Sequence, residues 1–350
     1  MILLLIMITQ LFSKNRATEA GLIIQSGGLV VFPTETVYGL GADVFNEDAC
    51  RRIFQAKGRP QDNPLIAHIF DRKQLDSLVQ QFPPGAEILM DSFWPGPLTL
   101  VLPKKPSVNG IVTAGLQTLG VRMPRHKEAQ EFLRSAGTPI AAPSANRSGK
   151  PSPTNFAMAC EAMDGRVEAI LDGGACETGL ESTVIAWTNT KTGSGWTILR
   201  PGAVTREDLF SVLDNLFLSE ADDTEGKLLS KSPGTRHPHY KPQARVQLFT
   251  KAEDLRRFNS KDIKSLAIIS IEEVLTIGEI ETKKTLSLCD KFLHRHYASW
   301  IELARHLYSD FYELDALGVS NILVQTPQRR GGIEEALKNR LLKASSNCWI

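Results

Sequence analysis

The sequence predicts a mixed α/β protein of two domains, and three observations carry that expectation. Its 350 residues are more than twice the roughly 150 of one ordinary domain. From residue 17 to residue 218 short β-type runs alternate with helical patterns, as in chains that layer helices on a sheet. At residues 219–244 the periodicity gives way to Ser, Asp, Gly, Pro, His and Lys, a linker composition, and a second alternation follows it.

Taken in order, Ala17 to Gln25 has helical spacing and stops at Gly27-Gly28, where a left-handed cap is expected. Leu29 to Phe32 is a β-type run closed by Pro33. Asn46 is placed to cap a helix over Glu47 to Lys57, whose first turn is acidic. Strands are expected at Leu65–Phe70, Leu98–Leu102, Leu119–Met123, Pro139–Ala142, Ala169–Leu171, Thr183–Trp187 and Thr197–Leu199, and a further helix from Asp208 to about Leu218. Beyond the linker, Val246–Phe249, Leu266–Ile271 and Asn321–Val324 read as strands, while helical patterns fill Asp290–Leu314 and Ile333–Ala344. Met1 to Thr9 is apolar but far short of the roughly 20 residues of a membrane span. It also lacks the basic start and small-residue cleavage site of a signal peptide. A start-site extension or an extra strand, with Met7 as an alternative start, is the favoured reading; a weak signal sequence is the second.

Charge excludes some function classes. Lys plus Arg number 40 and Asp plus Glu 39, a formal net charge of +1, which argues against attachment to nucleic acid through bulk basicity. The five cysteines, at 50, 160, 176, 289 and 348, form no CxxC and have no histidine at ligand spacing. No metal site is therefore expected, and a reducing, cytoplasmic setting fits better than a disulfide framework. His237/His239 fall in the linker and His294/His296 in a helical pattern, where i and i+2 point apart. There is no GxxxxGK[ST], no GxGxxG, no GxSxG and no HExxH.

The neutral total conceals segregation. Between Ser92 and Cys160 the only acids are Glu128 and Glu131, against Lys104, Lys105, Arg122, Arg125, Lys127, Arg134, Arg147 and Lys150. Lys57-Gly58-Arg59 closes a helix; its two cations either converge on a ligand or, for Lys57, complement the helix C-terminus. Pro143 to Ser152 (PSANRSGKPS) follows a strand and offers hydroxyls and an amide to phosphate or ribose oxygens, although the same residues build ordinary turns. Pro33 to Gly41 (PTETVYGLG) is similarly either a ligand loop or a capping turn in which Thr34 or Thr36 satisfies backbone groups.

Together these segments resemble the YrdC/Sua5 family of threonylcarbamoyl-AMP synthases. The resemblance runs from about Asn15 to Ser345 and is carried by GLVVFPTETVYGLGAD (28–43), KGRPQDNPL (57–65), FWPGPLTLVL (93–102), LGVRMPRH (119–126), PIAAPSANRSGKPSPT (139–154), LESTV (180–184) and LRPGAV (199–204). SPGTRHPHYKP (232–242) and EEALKNRLL (334–342) are similar to the longer, two-domain Sua5 type. The resemblance implies a YrdC-like twisted mixed-sheet catalytic domain over 15–206, after an extension at 1–14. A helix and basic linker (207–244) and a smaller α/β Sua5-type domain (245–346) would follow.

It further implies a reaction of L-threonine, bicarbonate and ATP, assisted by Mg²⁺, that yields threonylcarbamoyl-AMP and pyrophosphate. The product would serve tRNA t6A37 modification by separate threonylcarbamoyl transferase proteins, leaving room for a contact with double-stranded RNA or tRNA. The family pattern KxR…SxN falls on Lys57, Arg59, Ser144 and Asn146, the expected catalytic group. Nucleotide contacts are expected at Arg59, Asn63, Thr118, Ser144, Ser152, Arg200 and His237, where the family usually carries an aromatic at the last position. Threonine contacts are expected at Thr36, His68, Arg122, Ala142 and Ser182. A carbamate oxygen is already a nucleophile, so a site of cations, hydroxyls and amides without a triad suits attack on a phosphate. The linker, acid-free from Gly226 to Ala252, is expected to close over the nucleotide. A non-catalytic RNA-binding module is one rival reading, which few aromatics among the basic residues support; another carbamoyl-transfer enzyme using a related domain is the second, and it would call for added acylphosphatase-like and zinc-finger modules.

Overall fold

The computed structural model describes residues 8–190, 193–218, 240–258, 263–272, 291–329 and 331–350. The chain divides into two compact units: Met1–Ser148 with Ser152–His237, and Gly149–Pro151 with Pro238–Ile350. The linker at 219–239, His237 and the proposed closure over a nucleotide lie outside the described residues, as do Met7 and Cys289.

The first unit is built on an 11-stranded mixed sheet. Its strands are β1 (Gln10–Phe12), β2 (Val30–Phe32), β3 (Gly39–Asp43), β4 (Ile66–His68), β5 (Leu98–Pro103), β6 (Thr118–Arg122), β7 (Ile140–Ala142), β8 (Ala169–Leu171), β9 (Thr183–Thr190), β10 (Gly193–Arg200) and β11 (Phe217–Leu218). Across the sheet they run β1-β8-β2-β3-β7-β4-β6-β5-β9-β10-β11. Its helices are α1 (Ala17–Gln25), α2 (Glu47–Lys57), α3 (Leu75–Leu78), α4 (Ala86–Phe93), α5 (Gly110–Thr113), α6 (Lys127–Ala136), α7 (Phe156–Met163) and α8 (Arg206–Leu213).

Local chemistry explains most of these boundaries. Helix α1 ends where Gly27 and Gly28 return their amides to Ile24 and Ile23, with Gly27 at φ +82°. The Asn46 side chain accepts from the Ala49 amide and starts α2, which Gly58 stops in the left-handed conformation at φ +62°. Strand β1 falls at the end of the apolar N-terminal run and pairs in parallel with β8.

Strand β3 is a departure from the sequence expectation, which placed Gly39 and Gly41 in a loop. GLGAD has poor strand propensity, but pairing with β2 and β7 overrides it. A Cβ on Gly41 would stand 2.6 Å from Ile140 Cγ2, and one on Gly39 would stand 3.0 Å from the Phe32 ring. Glycine is what lets this strand lie against those side chains. The helix expected to reach Leu218 also stops early: α8 ends at Leu213, Asp214 turns to φ +43°, and a 3₁₀ turn leads into β11. Thr205 and Asp208 form a capping box at its start.

One face of the sheet packs on α1 and α6 through Val30, Phe32, Ile140, Ala142, Ala169 and Leu171, which meet Ala17, Ala20, Ile24, Phe132 and Leu133. Residues that pair across strands share a face. The register therefore continues this same face through Ile66 and His68 of β4, Gly120 and Arg122 of β6, and Thr99 and Val101 of β5. There small and polar residues replace the apolar contacts to the helices. The opposite face holds the larger core, including Val31, Leu40, Ala67, Leu100, Val121 and Ile185.

The second unit holds a four-stranded parallel sheet of β12 (Arg245–Phe249), β13 (Ser265–Ser270), β14 (Lys291–His296) and β15 (Asn321–Gln325), ordered β12-β15-β13-β14. Helices α9 (Trp300–Ala316) and α10 (Gly332–Ala344) accompany it. The helical pattern expected over Asp290–Leu314 is thus corrected. Its first part is β14, in register with β13, and the helix starts only after Ser299, whose side chain caps Glu302. The expectation that His294 and His296 point apart falls with it, since i and i+2 share one side of a strand. Their rings stand 6.0 Å apart, bonded to Ser270 Oγ and Ile271 O respectively.

Among the described residues no helix is long and apolar enough to cross a membrane, and Cys50, Cys160, Cys176 and Cys348 are free thiols.

Candidate active site

Arg122 is the centre of the arrangement. It ends β6, points to the polar part of the sheet face, and is buried with Glu35 at 4% and 1% exposure. The loop after β2 supplies its partners. Arg122 Nη1 donates to Thr36 Oγ1 at 2.8 Å, and Nη2 faces Glu35 Oε1 at 2.7 Å. Nε donates to the Gly96 carbonyl at 3.3 Å. Thr34 organises the loop: its hydroxyl lies 2.8 Å from Thr36 Oγ1, donates to the Val37 carbonyl and receives the amides of Thr36 and Val37. The turn-capping and ligand readings of this loop are therefore compatible, with Thr34 capping and Thr36 turned to Arg122.

The charges around Arg122 follow from burial. Its guanidinium holds the Glu35 carboxyl below the usual carboxylate range despite burial that opposes this. His68, beside Arg122 in the register, is pushed down to about 3 by burial and then by the Arg122 charge. Its Nδ1 lies 3.1 Å from the Ile66 carbonyl and its ring meets Phe32 edge-on. A neutral imidazole beside a buried guanidinium can offer a hydrogen bond without competing for an anion.

Ser182 precedes β9 on the same face. Its hydroxyl is 2.8 Å from Thr99 Oγ1, and Arg200 Nη2 reaches both its carbonyl (2.9 Å) and its hydroxyl (3.1 Å). Ser152 joins this side by donating to Glu181 Oε1 at 2.7 Å. The segment is pressed against the 200–204 turn, where a Cβ on Gly202 would lie 2.3 Å from the Thr183 amide nitrogen. Gly202→Ala is expected to displace Ser182 and Arg200 together, because the atoms it would meet are backbone and cannot swing away. A lowered melting temperature together with weakened ligand binding would show it; a stable variant with unchanged binding would contradict it.

A second group gathers where α2 ends and β4 and β6 begin. Lys57 is fully buried, and its Nζ donates to the Ser144 carbonyl and the Asn146 carbonyl, each at 2.5 Å, with Asn146 Oδ1 at 3.3 Å. Burial, then the Arg59 charge, pushes the Lys57 ammonium well below its ordinary value, while three acceptors around one nitrogen favour the charged form. The Ser144 hydroxyl donates to Asn146 Oδ1 at 2.5 Å, and Asn146 Nδ2 donates to the Arg147 carbonyl. Arg59 Nη2 binds the carbonyls of Asn63 and Pro64. Thr118, at the start of β6, has a buried hydroxyl with no partner among the described residues.

The structure thus brings Lys57, Arg59, Asn63, Ser144 and Asn146 into one cluster with Thr118 nearby in register. Thr36, His68 and Arg122 form the other group, with Ser182 on the same face. Ser152 and Arg200, expected among the nucleotide contacts, bond to Glu181 and Ser182 respectively. Ala142 stands on the floor of the face, 3.6 Å from where a Gly39 Cβ would be. Glu35 is not among the residues the sequence singles out. Its signal was an acid inside an otherwise apolar and hydroxyl run, and only the fold supplied its partner.

The comparisons with known proteins agree with this architecture. The family described as "Telomere recombination" (Sua5, YciO, YrdC) matches residues 22–202. A second, "Threonylcarbamoyl-AMP synthase, C-terminal domain", matches 204–346. The chain belongs to the Sua5/YciO/YrdC family. A threonylcarbamoyl-AMP synthase of Pyrococcus abyssi is 41% identical to it over 92% of each chain. One of Bacillus subtilis is 36% identical over 97% of this chain and 96% of the relative. The crystal structure of P. abyssi Sua5 complexed with L-threonine superposes with a TM-score of 0.82 at 37% identity, covering 98% of this chain and 99% of the other. The two-domain Sua5 form, rather than a single YrdC-like domain, is what this chain shares with these relatives.

Proposed function

We propose that this member of the family joins L-threonine, bicarbonate and ATP into threonylcarbamoyl-AMP and pyrophosphate. The observation that carries the reading is the buried Arg122 fork on the polar sheet face, next to Thr36, a neutral His68 and Ser182. It supports recognition of an amino-acid carboxylate, which pairs with two guanidinium N–H groups. The threonine relatives and the threonine-bound structure of P. abyssi Sua5 point the same way.

In this reading the threonine amine bonds to the bicarbonate carbon with loss of water, giving a carbamate. A carbamate oxygen then attacks the α-phosphorus of ATP, and pyrophosphate leaves with the electrons of the broken P–O bond. The nucleophile needs little activation, so the chain's work is alignment and charge neutralisation. Arg59 and the Lys57-held loop, with Ser144 and Asn146, are assigned to the phosphates, and Asn63, Thr118, Ser152 and Arg200 to the rest of the nucleotide. Lys57 acts chiefly by fixing the loop, since its hydrogens are directed at Ser144 and Asn146. Thr36, His68, Arg122, Ala142 and Ser182 are assigned to threonine.

The Mg²⁺ expected from the resemblance finds no cage of its own here: among the described residues no three His, Cys, Asp or Glu side chains could hold a metal. Magnesium bound with a nucleotide is generally held by phosphate oxygens and water. A cytoplasmic location, supply of the adenylate to tRNA threonylcarbamoyl transferase proteins and a tRNA contact belong to the same proposal.

One assay tests it. Pyrophosphate release from ATP should require both bicarbonate and L-threonine, with a product of the mass of threonylcarbamoyl-AMP. Release indifferent to either, or no release beside tight, salt-sensitive RNA binding, would instead favour a nucleic-acid-binding module.

A further inference from the structure

Arg122 carries five planar N–H groups, and three anchors from two separate segments hold that plane. Nε is tied to the Gly96 carbonyl and Nη1 to Thr36 by hydrogen bonds, while Nη2 is held to Glu35 Oε1 as an ion pair at 2.7 Å, outside hydrogen-bond geometry. Only Glu35 among the three is charged, and it is buried at 1% exposure. Its loop is fixed independently: the Glu35 carbonyl accepts the Thr178 amide, and Thr34 pins the turn on either side. A guanidinium with an uncompensated charge in this buried position would swing toward any carbonyl or water within reach.

We infer that Glu35 is a positioning residue for amino-acid recognition: it holds the Arg122 fork in the plane that an incoming α-carboxylate meets. The inference rests on the proposed function, because it takes the ligand of Arg122 to be the amino-acid carboxylate. Glu35 touches neither substrate. It neutralises Arg122 from behind and leaves hydrogens on both terminal nitrogens for two parallel bonds to the carboxylate. A planar, bidentate contact is lost when the plane tilts, whereas a point-charge contact would tolerate the tilt. The nucleotide-side cluster around Lys57 shares no hydrogen bond with Glu35 among the described residues, so the consequence is confined to the amino acid.

The test compares the full-length wild type with Glu35→Gln, Glu35→Asp, Arg122→Lys and the Glu35→Gln/Arg122→Lys double variant. Threonine-dependent pyrophosphate release is read alongside threonine binding by titration calorimetry. Glu35→Gln should raise the threonine KM and Kd by about tenfold or more, through loss of the buried ion pair that steadies the fork, with the ATP KM within about twofold. Glu35→Asp keeps the charge one methylene further back and should fall between the two, which also serves if the Gln variant does not fold. Arg122→Lys should weaken threonine by itself, and adding Glu35→Gln should cost little more, because a residue that acts through Arg122 cannot be additive with it. A parallel rise in both KM values, an unchanged threonine KM, or additive effects in the double variant would overturn the inference. A wild type with no threonine-dependent release would instead sink the reading of the function on which it stands.

Discussion

Arg122→Ala is expected to abolish most threonine-dependent turnover, lowering kcat/KM by at least about a hundredfold. That factor corresponds to roughly 3 kcal/mol of charge-assisted hydrogen bonding at one carboxylate. The same change strands Glu35, whose carboxylate is buried at 1% exposure against Arg122. Removing one partner of a buried pair costs about 3–5 kcal/mol, or a fall of roughly 6–20 °C in melting temperature for a unit of this size. The pH dependence separates the two effects. In the wild type the folded pKa of Glu35 lies below its ordinary 4.5, so its stabilisation is present above that value and fades as the pH falls. Without Arg122 burial dominates and raises the folded pKa, so the stability is retained at low pH and lost as the pH rises through the raised value. The deficit of Arg122→Ala should therefore shrink from pH 8 toward pH 5. Arg122→Met combined with Glu35→Gln should recover most of the stability and none of the activity. A deficit that stays constant with pH would mean that Arg122 is not compensating that carboxylate.

Lys57→Met should be the second severe change, through a different route. The methionine fills a similar volume at a fully buried site and removes a desolvated charge, so the fold should survive. What it forfeits is the tether on the 144–146 loop: the Ser144 and Asn146 carbonyls, each 2.5 Å from Nζ, lose their shared donor at about 1–3 kcal/mol apiece. The loop that presents Ser144 and Asn146 would then relax. We expect the ATP KM to rise and kcat to fall, together at least about a hundredfold in kcat/KM, with the threonine Kd within about threefold. Glu35→Gln and Lys57→Met thus predict opposite specificities, one toward the amino acid and one toward the nucleotide. Steady-state kinetics with each substrate varied in turn would show whether they part in that way, and a matching loss in both substrates for Lys57→Met would count against the tether.

Much of the molecule was open to inspection before any coordinates. Asn46, Gly58 and Gly27 mark helix ends through short-range hydrogen bonds and backbone sterics, which depend on nearest neighbours alone, and the structure puts α1 and α2 at the expected residues. The ordered motifs carried the family and the two-domain form. Strand β3 was not legible, since its glycines are selected by the side chains of β2 and β7 rather than by strand propensity. Nor was β14, where KFLHRH draws its hydrogen bonds from a partner in β13 more than twenty residues away.

The candidate site divides in the same manner. The chain order alone supplied the residue types, the absence of a triad and the concentration of cations between Ser92 and Cys160. Which of those cations is compensated, and by what, came from tertiary packing. Glu35 and Arg122 are far apart in the chain, and so are Lys57 and the Ser144 loop. Sequence periodicity reports the environment of a residue along its own helix or strand, whereas a buried charge is tolerated only with a partner that the fold brings to it. The sequence by itself determined what kind of ligand the protein could attract. Only the folded sheet, by setting β6 beside β4 and bringing the loop after β2 to Arg122, decided which arginine is buried and paired with Glu35 and Thr36.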